Sequence, residues 1–126
     1  MSVTPKWLLK ALDERDGHRS AWTGVESDTL VPQHRQGGAG GRRDKHRLSN
    51  VVWLESIRNG EIESDPVLAR EGRRRGIKIS LFGDPELTPI LHAVHGWVLL
   101  HDDGRPEPLS PGEIAEWEAL QRVEVR

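Results

Sequence analysis

The stretch that decides the fold runs from Thr29 to Ser64: TLVPQHRQGGAGGRRDKHRLSNVVWLESIRNGEIES. Thr29-Leu30-Val31 predicts a short strand running into Pro32-Gln33-His34-Arg35. Four glycines follow within five positions, Gly37, Gly38, Gly40 and Gly41. Each costs backbone entropy on ordering and brings no side chain to pack, so the segment is a loop. Leu48 to Leu54, LSNVVWL, is β-branched and aromatic and predicts a second strand. A helix is expected from near Glu55 through Ser64, with Gly60 lowering its propensity.

Outward from this unit, Thr4-Pro5 has the form of an N-cap and first helical position. Trp7, Leu8, Ala11 and Leu12 make one apolar stripe, and Gly17 is the stop. Downstream, Asp65-Pro66 opens a second helix, PVLAREGRRR, that Gly76 ends. Ile77 to Leu81 alternates as a strand, and Pro89 to Leu100 holds two more around His95-Gly96. Asp102-Asp103-Gly104-Arg105 is a turn. Ser110-Pro111-Gly112-Glu113 is a capping box ahead of a helix in which Ile114, Trp117 and Leu120 share a face.

The chain has 126 residues, 35% hydrophobic and 30% charged, which suits one domain, 1–126, with one modest core. The absence of cysteine excludes disulfides, thiol catalysis and structural zinc held through cysteine. No apolar run approaches the roughly 20 residues of a membrane span. The charged N-terminal segment lacks the apolar stretch of a secretory signal. The expectation is a cytoplasmic protein with no membrane partner. The net charge of -2 hides a polarity: residues 34–78 carry +5 and residues 79–126 carry -6. A basic middle segment suggests an anionic partner.

Three polar residues stand out in that segment: His34 at a strand end, Asn50 after the Gly/Arg-rich loop, and Asn59 early in the next helix. VPQHRQGGAGG, RLSNVVWL and RNGEIES together resemble the HNH nuclease motif, the ββα-metal fold. Downstream, SDPVLAREGRRRGI and TPILHAVHGWVLLHDDG look like the tail of small HNH proteins common in phages of actinobacteria. The resemblance covers roughly residues 15–105. It implies an α+β fold: a ββα-metal core of about residues 30–64, an N-terminal helix, and a C-terminal extension, about 77–126, of hairpin plus helix. The activity implied is a metal-dependent endonuclease that nicks or cuts DNA.

By the resemblance, His34 is the general base, suited to take a proton near neutrality. Asn50 holds the loop and His34 in place, since an amide donates and accepts at once. Asn59 stands where the family usually has a metal-binding His, and Gln33 where an acidic residue or His is usual. Glu63, four residues after Asn59 on the same helical face, supplies negative charge to the cation, most simply Mg²⁺ or Mn²⁺. Relatives with a structural zinc carry paired cysteines where Ser20, Glu55 and Arg58 stand here. Arg35, Arg42, Arg43, Lys45 and Arg47, joined by Arg73, Arg74 and Arg75, are the expected phosphate contacts. His18, His46, His92, His95 and His101 lack ligand-like spacing with carboxylates and read as structural or exposed. Trp22, Trp53, Trp97 and Trp117 read as core. A second class of function stays open: a ββα scaffold without metal, serving as a DNA-binding or protein-binding (inhibitory or regulatory) module.

Overall fold

A computed structural model describes residues 4–37 and 45–124, so Arg42 and Arg43 lie outside the described residues. The architecture is α+β, with four helices and two small antiparallel sheets among the described residues. Strand β1 (Leu30–His34) pairs with β2 (Val51–Glu55), Leu30 opposite Glu55 and His34 opposite Val51. Helix α2 (Ser56–Ser64) begins at the next residue and packs back on both strands.

β2 is buried at four successive positions, because both of its faces are covered. Val51 and Trp53 join Leu8, Leu12, Leu30 and Leu48 beneath helix α1 (Lys6–Asp16). Val52 and Leu54 join Ala21, Ile62, Ile77, Ile90, Val98 and Leu100 on the other side. A strand covered on two faces carries a continuous apolar run in place of alternation. Each fully buried Leu or Ile contributes about 1.5–3 kcal/mol, so the hairpin is the centre of the core.

The second sheet is a meander of β3 (Ile90–His92), β4 (Gly96–Leu100) and β5 (Pro106–Pro108). Its third strand was not expected, and its two prolines suit an edge position. Helix α3 (Pro66–Arg74) is capped by the Asp65 carboxylate, which accepts from the N–H groups of Val67 and Leu68. Gly76 follows it at φ 72°, where a Cβ would lie 1.9 Å from the Pro89 carbonyl oxygen; no other residue fits. The capping box ahead of α4 (Pro111–Glu124) closes both ways: Ser110 N–H donates to Glu113 and Glu113 N–H donates to Ser110 Oγ.

Several expectations need correction. Ile77–Leu81 is not a strand: Ile77 is buried, and Ile79 N–H reaches the Arg35 carbonyl without a ladder around it. Leu48–Asn50 forms a single 3₁₀ turn, so β2 starts only at Val51. The residue that caps α1 is Pro5, with no side-chain cap. Trp7 and Leu120, expected on buried stripes, are 61% and 56% exposed; α4 turns Gln121 inward instead.

At the positions where the resemblance places zinc cysteines, oxygen takes over. Ser20 Oγ and Thr23 Oγ1 each donate to one oxygen of the Glu55 carboxylate at 2.6 Å. Burial pushes Glu55 up, but the two hydroxyls outweigh it and hold its pKa below the ordinary value. Arg58 and Arg75 lie over the Trp22 ring, at 5.3 and 4.2 Å from its centroid. A hydrogen-bonded clasp with a cation–π pair joins the segment before β1 to the end of β2.

Candidate active site

Asn50 sits at the base of the glycine loop and binds both of its described ends. Its Oδ1 accepts from Gln36 N–H at 2.8 Å, while Nδ2 donates to the carbonyls of Gln36 and Lys45. The side chain is fully buried, so these bonds form in a low dielectric, where leaving them unmade would be costly. Asn50 thereby ties Gln36 to Lys45, and the strand end carrying His34 is anchored by Arg35 N–H on the Asn50 carbonyl at 2.7 Å.

His34 is half-buried, with Nε2 3.1 Å from Nδ1 of His46. Burial first, then the charges of His46, Lys45 and Lys78, lower its pKa from 6.5 to about 4. The imidazole is neutral at pH 7, and in the tautomer in which its Nε2–H donates to His46 it has a free lone pair on Nδ1. An anion arriving among those cations would raise its pKa back toward neutrality. His46, read from sequence as structural or exposed, is thus part of this site, and its buried Nε2 has no hydrogen-bond partner.

Gln33 pairs with Val52, and opposite residues of an antiparallel pair share a face. Gln33 is therefore on the α2 side, and its Nε2 donates to the His34 carbonyl. On α2, the buried Oδ1 of Asn59 has no hydrogen-bond partner among the described residues. A buried carbonyl oxygen without a donor is costly in a native protein and marks a place where an ion or water is accommodated. Oxygen donors from amides and a carboxylate suit a hard cation, so Asn59, Gln33 and Glu63 fit one chemically. Glu63 is shared: Lys78 Nζ stands 3.6 Å from its carboxylate. Because Lys78 also acts on His34, this salt bridge links Glu63 to the neighbourhood of the imidazole.

The expected phosphate contacts divide. Arg35 is corrected: it is 1% exposed and is an internal strut. Its guanidinium donates to the carbonyls of Gly76, Ser49, Pro85 and Thr88. Arg47 is spent on Asp102 at 2.9 Å, with Glu86 and Asp84 slightly farther. Arg74 and Arg75 both bind Glu71 at 2.7 and 2.8 Å, and the Arg74 bond leads in holding that carboxyl down to about 2. Compensated cations such as these offer little to a phosphate. Lys45 and Arg73 have no carboxylate partner among the described residues.

One polar cluster is only partly visible in sequence. Asp16 is buried, and Arg15 donates to both of its oxygens at 2.8 Å. His92 Nε2 and His95 Nε2 lie 3.1 and 2.9 Å from the same carboxylate. Asp16, His92 and His95 form a group that could hold a metal ion, their ligand atoms all within 4.8 Å of one another. The occupants compete with one: Arg15 supplies a positive charge, and Val94 N–H donates to His92 Nδ1, leaving the His92 proton on Nε2 toward Asp16. Burial pushes Asp16 up, but Arg15, His92 and His95 outweigh it and hold it far below the carboxylate range. Arg15 also donates to the Leu48 and Val51 carbonyls, so the cluster ties α1 to β2 and to the β3–β4 turn. The spacing of His92 and His95 is visible in sequence; Asp16, 76 positions from His92, is not.

Compared with protein-family models, curated proteins and solved structures, the chain matches none.

Proposed function

We propose that the chain is a metal-dependent endonuclease of the HNH type that hydrolyses DNA phosphodiester bonds, acting in the cytoplasm as phage or prophage proteins do. The observation that carries the reading is the unpartnered, buried Asn59 Oδ1 on the helix that directly follows the His34 hairpin. In this reading His34, neutral at pH 7, accepts the proton of the attacking water. Asn50 acts through the loop ends and the backbone beside His34 and is a positioning residue. Asn59, Gln33 and Glu63 would hold Mg²⁺ or Mn²⁺, which when bound stabilises charge on the phosphate oxygens. Lys45 and Lys78 attract the phosphodiester.

The Lys78–Glu63 pair favours a second reading, because it withdraws the one carboxylate of the donor set. In that reading the hairpin and helix are kept as a DNA-binding or protein-binding module without metal. Conversion of supercoiled plasmid to open circle separates the two. The nuclease nicks with Mg²⁺ or Mn²⁺, stops in EDTA, and loses about 100-fold or more in rate with His34→Ala. No metal-dependent nicking, or nicking that survives His34→Ala, overturns the nuclease.

A further inference from the structure

Beside the candidate active site lies an open cleft of about 560 Å³, within the usual range for small-ligand sites of about 300–1,000 Å³. It is bounded by α2, α3, α4 and the segment from Lys78 to Thr88. Glu63, which the proposed function places in the metal site, is also on its rim, so the cleft opens beside that centre. Four features of its wall point to one kind of ligand.

Gln121 is 6% exposed and lines the cleft. No hydrogen bond engages its amide among the described residues. Helix α4 therefore lays the stem of Gln121 inward while its amide atoms stay open to the cleft with no hydrogen-bond partner among the described residues, although Leu120 stands exposed one residue away. A ligand with both donor and acceptor edges would satisfy it. One turn earlier, Trp117 lines the same wall, and its indole N–H donates to the Arg74 carbonyl at 2.8 Å. The ring is thus held in position as an aromatic surface. Arg73, without a carboxylate partner among the described residues, and Lys78, shared with Glu63 at 3.6 Å, are the cations of the lining. A fixed aromatic wall, an amide open to the cleft and a cationic rim match a planar heterocycle bearing a phosphate. Stacking tolerates any base, an amide reads a base edge, and cations hold the phosphate.

We propose that this cleft seats an unpaired nucleotide of the DNA strand being cut, its base between Trp117 and Gln121 and its phosphate at Arg73. This assignment rests on the nuclease reading for the identity of the strand, but the cleft chemistry is independent of metal and of His34. Inside a duplex both faces of a base are stacked and its Watson–Crick edge is paired, so a site that takes the base against an aromatic wall favours single-stranded or locally opened DNA.

The test is binding by the full chain in EDTA, where metal-dependent cleavage is silent. Anisotropy of a fluorescein-labelled short single strand is measured against unlabelled duplex and against dAMP as competitors. The strand binds, the matched duplex competes poorly, and Gln121→Leu and Arg73→Ala each weaken binding about tenfold, the loss expected for one buried or charge-assisted hydrogen bond. Thermal melting of both variants accompanies the titration; Arg73 is exposed, so its variant keeps the test valid if Gln121→Leu disturbs folding. Equal binding by native protein and both folded variants overturns the site, as does no binding by native protein. Competition by dAMP as strong as by the strand overturns the assignment to a strand and leaves a free-nucleotide site. Strand binding lost in both variants, in a protein that never nicks plasmid, sustains the nucleotide site while the nuclease reading falls. Metal-dependent nicking with no effect of either variant on binding does the reverse.

Discussion

The Asp16 cluster and the His34 region are both built of histidines beside charged groups, yet they are finished differently. Around Asp16 each carboxylate oxygen has two partners, supplied by Arg15, His92 and His95. Around His34 the polar inventory is left open among the described residues: His46 Nε2 is buried without a partner, and His34 sits among cations with no carboxylate in contact; on α2 the same holds for Asn59 Oδ1. A satisfied polar network ties elements together and gives no ligand a place to bind. An unsatisfied one costs stability and is retained where something else completes it. The comparison assigns architecture to the first cluster and chemistry to the second, although the first has the more metal-like set of side chains.

The largest expected effect breaks the satisfied side. Asp16→Ala leaves the Arg15 guanidinium, 1% exposed, buried without its counter-ion, and should cost about 3–5 kcal/mol in urea unfolding. A loss below about 1 kcal/mol would mean that the cluster does not hold α1 to the sheets. Glu55→Ala should cost less, about 1–3 kcal/mol, since it strands the buried Ser20 hydroxyl while Trp22 and Thr23 N–H groups still bond that oxygen. A neutral result would mean that the clasp does not hold the segment before β1 to the end of β2.

Acid titration sharpens the same contrast. His34 and His92 both have folded pKa values below the ordinary 6.5. For His92 burial leads, partly opposed by Asp16. Between 6.5 and the folded value the unfolded chain binds more protons, so stability is complete above 6.5 and declines as pH falls toward about 4. Asp16 remains ionised through this window and its contribution is lost only at lower pH. Chemical unfolding at a series of pH values should show the decline, and His34→Ala should make it shallower; an unchanged slope would deny His34 its depressed pKa. The smallest effect belongs to Asn59→Leu. Its Oδ1 has no partner to lose, so stability should stay within about 0.5 kcal/mol while metal-dependent nicking disappears. A cost above about 2 kcal/mol would show that the oxygen is satisfied within the protein.

What could be read from the chain itself was local. The strand–loop–strand–helix order of residues 29–64, the Asp65-Pro66 cap, the Ser110/Glu113 box and the stop at Gly17 all follow from propensities acting over a few residues. His34, Asn50 and Asn59 were singled out by their order along such a segment. Segments whose conformation depends on distant partners were misread: Ile77–Leu81 alternates like a strand, but it is not one in the folded chain, where Ile79 N–H donates to the Arg35 carbonyl. Charge was the least legible property. Sequence counts Arg35 and Arg47 as two free cations of a basic stretch, whereas Gly76, Ser49, Pro85 and Thr88 surround the first and Asp84, Glu86 and Asp102 neutralise the second. The same holds for Asp16 with His92 and for Gln121 in its cleft. Backbone propensity is set by a residue and its near neighbours, so sequence alone determined where the elements lie. Whether a polar side chain is spent or available depends on which groups the folded chain brings within hydrogen-bonding distance across dozens of residues, and only the tertiary structure decided that.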